Sequence, residues 1–313
     1  MKLSLVIPCY NEENNVERFY EVTEQAFASA DIELEYVFVN DGSRDGTLAK
    51  LKKLHAEKSA YCRIVSFARN FGKEAAIYAG LSNATGELTT VIDADLQQRP
   101  EVALQMVRIL QQEPEVDCVA AFQEERKESA VLSWFKSMFY KIINAMTGIP
   151  FTNGASDFRT FRAPMRDAIL QMGEYHRFSK GIFSWVGFNV KFIPYIVCER
   201  ASGESKWSFI KLLKYAIEGI VAFTTAPLHR STVLGTLCTV GGGIYYVLSV
   251  LFRLFGYYWN TVGLLAATVF FVGGLILLCM GVMGMYLSRV YLQVKDRPIY
   301  LAKEILVKEK GKK

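Results

Sequence analysis

Apolar positions in the first 225 residues fall into short β-rich runs: LSLVIP at 3–8, LEYVFVN at 34–40, CRIVSF at 62–67, LTTVID at 88–93 and VDCVAAF at 116–122. Between them lie stretches with helical spacing, at about 16–30, 46–58, 72–84 and 100–113. This alternation predicts an α/β domain with a mainly parallel sheet covered by helices on both faces. Ligands of such sheets bind beyond the carboxyl ends of the strands, where the strand order switches.

The pattern then changes. No formal charge occurs between Arg230 and Arg253, a run of 22 residues, or between Arg253 and Arg289, a run of 35. Each exceeds the roughly 20 residues that a membrane-spanning helix needs. Two transmembrane helices are expected, near 231–252 and 263–288, joined by the Tyr- and Trp-rich link RLFGYYWNT. The expected organisation is a cytoplasmic domain over 1–225, the two spans within 226–290 and a basic cytoplasmic tail over 291–313. Small residues in the spans (Gly235, Gly241 to Gly243, Gly273, Gly274, Gly281, Gly284) suggest close helix packing, within the chain or between subunits.

Charge adds to this picture. The net charge is +5, from 36 Lys and Arg against 31 Asp and Glu, and residues 289–313 alone hold 8 basic and 3 acidic residues. The remainder is balanced, which excludes the basic load of a nucleic-acid binder. A basic segment after an apolar stretch marks a cytoplasmic flank that can touch anionic lipid. The opening MKLSLVIPCY enters a strand-like run too short for a signal peptide, so the N-terminal part is expected to stay in the cytoplasm. Six scattered cysteines without a C-x-x-C suggest neither a zinc site nor a disulfide framework, and read as reduced and mostly buried.

Candidate chemistry sits where strands end. The first run closes in Pro8-Cys9-Tyr10-Asn11-Glu12-Glu13 and the second in Asn40-Asp41-Gly42-Ser43-Arg44-Asp45-Gly46-Thr47. The second is also a good turn followed by a helix cap; together the two look like a nucleotide pocket. The fourth run ends in Asp93-Ala94-Asp95-Leu96-Gln97. On an extended segment alternate residues point the same way, so Asp93, Asp95 and Gln97 are expected to turn oxygens toward one Mg²⁺ or Mn²⁺ shared with a diphosphate. Neither a G-x-G-x-x-G after the first strand nor a G-x-x-x-x-G-K-[ST] loop occurs, and His55, His176 and His229 are far apart in the chain. Dehydrogenase and ATPase readings fall away.

VIPCYNEE at 6–13, NDGSRDGT at 40–47, ARNFGKEAAIYAGL at 68–81 and DADLQQRPE at 93–101 together resemble glycosyltransferase family 2 with the GT-A fold. ASDFRTFR at 155–162, FSKGIFSWVGF at 178–188 and ERASGESKWSFIKLLKYAIEGI at 199–220, with the two C-terminal spans, are similar to the polyprenyl-phosphate glycosyltransferases, and among these to the bactoprenol glucosyltransferases. The resemblance covers nearly the full chain.

It implies an inverting transfer of one sugar from a UDP-sugar to undecaprenyl phosphate at the cytoplasmic face of the cell membrane. Glucose is the favoured sugar, with N-acetylglucosamine and others behind it. Pro8, Tyr10, Glu12 and Asp41 would line the base and ribose pocket, Asp93, Asp95 and Gln97 would hold metal and diphosphate, and Lys73 would sit near the nucleotide. Arg126, Arg200, Ser205 and Lys206 would hold phosphates, as in the dolichol-phosphate mannose synthases. Asp157 matches a family acidic position that orients the sugar. Asp95, Asp157, Arg200 and Lys206 are thus the expected catalytic set. A lipid phosphate is already an anion, so positioning and charge screening matter more than a general base. The helical stripe of Leu132, Phe135, Phe139, Ile142 and Ile143 within 130–147 reads either as core packing or as a helix in the headgroup layer. The helix expected over about 207–226 has a comparable layout. A homo-oligomer, such as a tetramer, is expected from the Gly-rich spans and the family analogy. Two rival readings are a processive synthase and a silent membrane scaffold. The first lacks its Q-x-x-R-W motif and has few spans; the second should show damage to the metal motif, yet Asp93 and Asp95 are intact.

Overall fold

The computed structural model describes residues 1–57, 61–123, 155–196, 225–255 and 261–308. Expected residues Arg126, Arg200, Ser205 and Lys206, the helix expected over 130–147 and nearly all of that over 207–226 lie outside the described residues. The chain divides into one unit of residues 1–212 with 298–313 and a second of residues 213–297.

In the first unit, apolar β-branched runs form strands and the amphipathic stretches between them form helices. They follow as β1 (Lys2–Cys9), α1 (Val16–Phe27), β2 (Glu33–Asn40), α2 (Thr47–Glu57), β3 (Cys62–Phe67), α3 (Lys73–Asn83), β4 (Leu88–Val91), α4 (Pro100–Gln112) and β5 (Cys118–Gln123). Next come β6 (Ala155–Arg162), α5 (Ala163–Gln171), α6 (Ser179–Trp185) and β7 (Val190–Tyr195). Pro100 stands in the first turn of α4, where its missing N–H costs no hydrogen bond.

The sheet has the order β7-β5-β6-β4-β1-β2-β3-β8, the last strand being described below. Strands β4, β1, β2 and β3 are parallel neighbours. The order reverses between β1 and β4, so the ends of β1, β2 and β4 share one rim. Strand β6 is inserted antiparallel between β4 and β5, pairing Val91 with Arg159. The start of β6 therefore lies at the rim where β4 ends. This doubly covered, mainly parallel sheet is the GT-A arrangement that the family resemblance implies.

One face of the sheet buries Leu5, Ile7, Phe19, Tyr36, Phe38 and Met106, among others, under α1, α2 and α4. The other packs Val39, Val65 and Phe67 against Ala75, Ala76 and Ala79 of α3. Gly80 permits that approach, since a Cβ there would stand 2.2 Å from Val6 Cγ1. Cys9, Cys62 and Cys118 are free and buried, and Cys238 and Cys279 are free and partly buried.

In the second unit α7 (Ala226–Leu254) and α8 (Thr261–Val294) are long and apolar enough to cross a bilayer. At 1.5 Å per residue α8 is about 51 Å long, which outruns a hydrocarbon core of about 30 Å. Among the described residues, a Cβ at Gly235, Gly241, Gly242, Gly243, Gly273, Gly274, Gly281 or Gly284 would meet nothing within 4 Å.

The basic tail departs from its expected form. Residues Ala302–Lys308 form β8, antiparallel to β3, with Ile64 opposite Leu306. The sequence AKEILVK carries a two-residue period beneath its charge: Leu306 packs on the main core, while Ile305 and Val307 face outward. Charge counting alone obscures this period.

At the opposite end of the sheet from the strand-end rim, the Glu35 carboxylate is buried among Ser4 Oγ, Thr85 N (2.8 Å) and Thr85 Oγ1 (2.7 Å), with Lys2 Nζ at 3.0 Å and Arg63 Nε at 3.3 Å. Burial opposes its ionisation, but the bonds from Ser4, Thr85 and Lys2 outweigh this and hold the carboxyl below its ordinary range. A depressed carboxyl stabilises the fold above its unfolded pKa, about 4.3, and that contribution disappears as pH falls through the folded value. Glu35→Ala is expected to cost about 2–4 kcal/mol by removing the buried acceptor of Ser4, Thr85 and Lys2. Thermal unfolding of variant and wild type at pH 7 checks this, and the gap should narrow toward pH 3.

Candidate active site

Two loops at the rim are joined by side chain to backbone hydrogen bonds. Asn11, in the left-handed region at φ 57°, donates from its N–H to Ser43 Oγ (3.0 Å) and accepts from Arg44 N–H at Oδ1 (3.0 Å). Glu12 N–H donates to Thr47 Oγ1 (2.8 Å), and Glu13 Oε2 accepts from Gly46 N–H (2.7 Å). The ends of β1 and β2 thus form one rigid lip, with Tyr10 exposed on it and Pro8 in β1 paired to Val39.

Asp41 is buried, and its two oxygens accept from Phe71 N–H (2.7 Å) and Gly72 N–H (3.0 Å). Burial raises its pKa and those two bonds oppose the rise. The loop before α3 lies so close that a Cβ at Gly42, φ 63°, would stand 2.4 Å from the Arg69 carbonyl carbon. Expected as a pocket residue, Asp41 anchors this loop through both carboxylate oxygens.

That loop delivers Lys73, the first residue of α3. Its Nζ lies 2.7 Å from Asp93 Oδ1 and 3.5 Å from Asp157 Oδ2. Asp93 is further fixed by Gln98, whose Oε1 accepts from Asp93 N–H (2.9 Å) and whose Nε2 donates to Asp93 Oδ2 (3.1 Å). Asp157 is desolvated, which alone would raise its pKa, yet Lys73, Lys180 and Arg159 hold it below the ordinary carboxylate range. Its Oδ1 is buried with no hydrogen-bond partner among the described residues.

The segment after β4 is not extended. It turns at Leu96, φ 59°, and Asp95 Oδ1 accepts from Gln97 N–H (3.1 Å). The expected alternation of Asp93, Asp95 and Gln97 along an extended strand is replaced by a turn, because β4 ends at Val91. Among the described residues no group of three His, Cys, Asp or Glu side chains could hold a metal ion alone. Glu12 nevertheless has its pKa raised, first by burial and then, against an Asn15 hydrogen bond, by Asp95, Asp93 and Asp45. An accumulation of hard carboxylate oxygens fits a divalent cation that completes its shell with another ligand's oxygens.

Several residues at this site carried no signal of their own. Glu74 Oε2 accepts from Ser179 N–H (2.9 Å) and from the Ser179 hydroxyl, fastening α6 to the start of α3. Burial, then Asp157, raise its carboxyl to about 7 against the Ser179 bonds and Arg177. Lys180 has its pKa lowered by burial, opposed by Asp157. Behind Asp157, the buried Arg159 guanidinium lies 3.8 Å from the centre of the Phe183 ring and donates to Ser156 O (2.8 Å). These residues lie within NFGKEAA, ASDFRTFR and FSKG, where only a tertiary contact gives them a purpose.

Residues 4–170 match the family described as glycosyl transferase family 2. The chain is 36% identical over 313 residues to an uncharacterized glycosyltransferase of Synechocystis sp., covering 97% of this chain and 96% of that protein. It is 35% identical over 306 residues to the bactoprenol glucosyl transferase of Shigella phage SfII, covering 97% and 98%. A solved structure of glucosyl-3-phosphoglycerate synthase from Mycobacterium tuberculosis is similar with TM-score 0.49 and 15% identity, over 70% of this chain and 77% of that one.

A carboxyl raised in the folded state binds its proton more tightly there than in the unfolded chain, so the stability it contributes falls as pH rises from about 4.3 to the folded value. For Glu74 this window closes near pH 7. Glu74→Gln, which removes the ionisation, is expected to raise the thermal midpoint relative to wild type at pH 8 compared with pH 5. Equal differences at both pH values would rule out the raised carboxyl.

Proposed function

We propose that this chain, which belongs to glycosyl transferase family 2, transfers one sugar from a UDP-sugar to a polyprenyl phosphate, undecaprenyl phosphate, at the cytoplasmic membrane face. The observation that carries this reading is the meeting of Lys73, Asp93 and Asp157 at one rim, beside the joined lips of β1 and β2. The relative named a bactoprenol glucosyl transferase supports the lipid acceptor and favours glucose. UDP-N-acetylglucosamine is the alternative donor.

Pro8, Tyr10 and Glu12 are assigned to the base and ribose side of the pocket. Asp93, Asp95 and Gln97 are assigned to the diphosphate and to a Mg²⁺ or Mn²⁺ ion shared with it. When bound, such an ion neutralises charge on the departing nucleoside diphosphate. Lys73, held between two carboxylates, supplies a fixed positive charge beside the same group. Asp157 Oδ1, without a hydrogen-bond partner among the described residues, suits a sugar hydroxyl donor and would orient the ring. A phosphate oxygen of the acceptor attacks the sugar C1, the C1–O bond to the diphosphate breaks, and its electron pair leaves with UDP. The acceptor needs no proton removed, so no general base is assigned, and attack opposite the leaving group inverts the anomeric centre. Arg126, Arg200, Ser205 and Lys206 are assigned to the phosphates by family pattern.

Two apolar helices support membrane anchoring. The catalytic unit includes sequence on both sides of them, residues 1–212 and 298–313. An even number of crossings would leave both stretches in one compartment, which supports a two-span hairpin with both flanks cytoplasmic. The subunit count of the proposed homo-oligomer is open to mass measurement in detergent.

The test uses purified full-length protein, undecaprenyl phosphate, Mg²⁺ or Mn²⁺ and a panel of labelled UDP-sugars with GDP-mannose. Label from one donor should appear in a butanol-extractable, mild-acid-labile lipid. Asp95→Ala should lower that transfer about a hundredfold or more, with the thermal midpoint retained. Transfer at the wild-type rate would overturn the metal assignment, and no transfer from any donor would overturn the proposed activity.

A further inference from the structure

The loop of residues 68–72 fixes Asp41 and delivers Lys73, yet its own packing comes from a distant part of the chain. Its first residue, Ala68, donates its N–H to Leu301 O (2.9 Å). The preceding residue, Phe67, is paired with Ala302 at the irregular end of the β3–β8 ladder. The Tyr300 ring stacks on Phe67 with centroids 4.9 Å apart and planes 22° apart. Phe67 in turn meets Phe71 edge-on, at 5.7 Å and 86°. Ile299, Tyr300 and Phe71 all pack on the buried cluster of Val39, Val65, Phe67 and the α3 alanines. On its outer side Phe71 is covered by the Arg69 guanidinium, 4.2 Å from the ring centre. The Tyr300 hydroxyl interacts with Asn83, the last residue of α3, whose Nδ2 also donates to Ala79 O (2.8 Å).

Tyr300 therefore touches α3 at its far end and, through Phe67 and Phe71, the loop at its near end. The N–H groups of Phe71 and Gly72 are the two that Asp41 receives, and Gly72, at φ 97°, is the last residue before Lys73. Displacing the Phe71 ring would move those N–H groups and Lys73 together. Tyr300 is only six residues beyond the end of α8 at Val294. A segment contributed from beyond the apolar hairpin thus braces the loop on which the donor site depends.

We infer that Tyr300, with Ile299 and Leu301 on either side, is a positioning element for the donor nucleotide: a strap that follows the second apolar helix and holds loop 68–72 in its binding geometry. It touches no reacting atom. Its effect is on the affinity for the nucleoside diphosphate, acting through Phe67, Phe71 and the Asp41-bound amides. The inference rests on the proposed UDP-sugar donor.

The test uses full-length protein in detergent or nanodiscs, with UDP and Mg²⁺ as the probe and no acceptor, so that binding is read without turnover. Tyr300→Ala should weaken UDP binding about threefold to tenfold, the scale of a lost aromatic pair. In the transfer assay it should raise the donor KM while the acceptor KM stays within twofold. Tyr300→Phe keeps the ring stack and should restore binding. Hydrogen exchange at the Phe71 and Gly72 amides should quicken in Tyr300→Ala and not in Tyr300→Phe, with or without nucleotide. Tyr300→Leu, which keeps bulk without a ring, replaces the alanine variant if that one does not fold. Unchanged UDP affinity with unchanged exchange would overturn the strap. A uniform fall in folded protein, with both KM values unmoved, would reduce Tyr300 to a structural residue and also overturn it. Failure of wild type to bind UDP would sink the proposed donor instead, leaving the exchange measurement to decide the strap.

Discussion

The Lys73 ammonium stands between carboxylates from two segments of opposite direction, Asp93 after β4 and Asp157 near the start of β6. Without that cation, two acids would face each other across a partly desolvated rim with like charges opposed. Much of the surrounding structure serves this placement. Gln98 fixes Asp93 from behind, Glu74 ties α6 to the helix that Lys73 begins, and Asp41 holds the loop that ends at Gly72. Desolvation works against the charge on Lys73, and Asp93 followed by Asp157 overcome it, keeping the amine above its usual range.

The antiparallel strand β6 is what makes the arrangement possible. Parallel strands deliver side chains to the rim only from their C-terminal ends. A strand running the other way brings residues from its beginning, and Asp157 arrives just beyond the Val91–Arg159 pair. The same strand carries Arg159, whose buried guanidinium backs the Asp157 carboxylate and rests on Phe183. Charges held in advance in this way keep their electrostatic value, whereas groups that must reorganise lose much of it.

The two long apolar helices are inserted within the sequence of the sheet domain, and the strand that follows them completes the sheet edge beside β3. Pairing of β8 covers an edge that would otherwise offer unpaired N–H and C=O groups. Tyr300 and Ile299 add apolar cover to the face on which α3 lies. The loop of residues 68–72 and the segment that follows α8 in sequence thus share a packed cluster of aromatic rings.

The β/α alternation through α4 is legible in the chain alone, because strand and helix periods are local properties that each segment carries alone. So are the two long apolar helices and the rim acids, since runs without charge and strand-end motifs are visible without contacts. Tertiary structure alone decided where β6 enters, that a tail read by its charge becomes β8, and that Asp93 faces Lys73. Glu74, Gln98, Lys180 and Tyr300 gained their roles the same way, from partners 105, 5, 23 and 233 residues distant in Ser179, Asp93, Asp157 and Phe67. A polar or aromatic residue in isolation has no preferred partner; burial removes water, and whichever group then lies within reach becomes its partner.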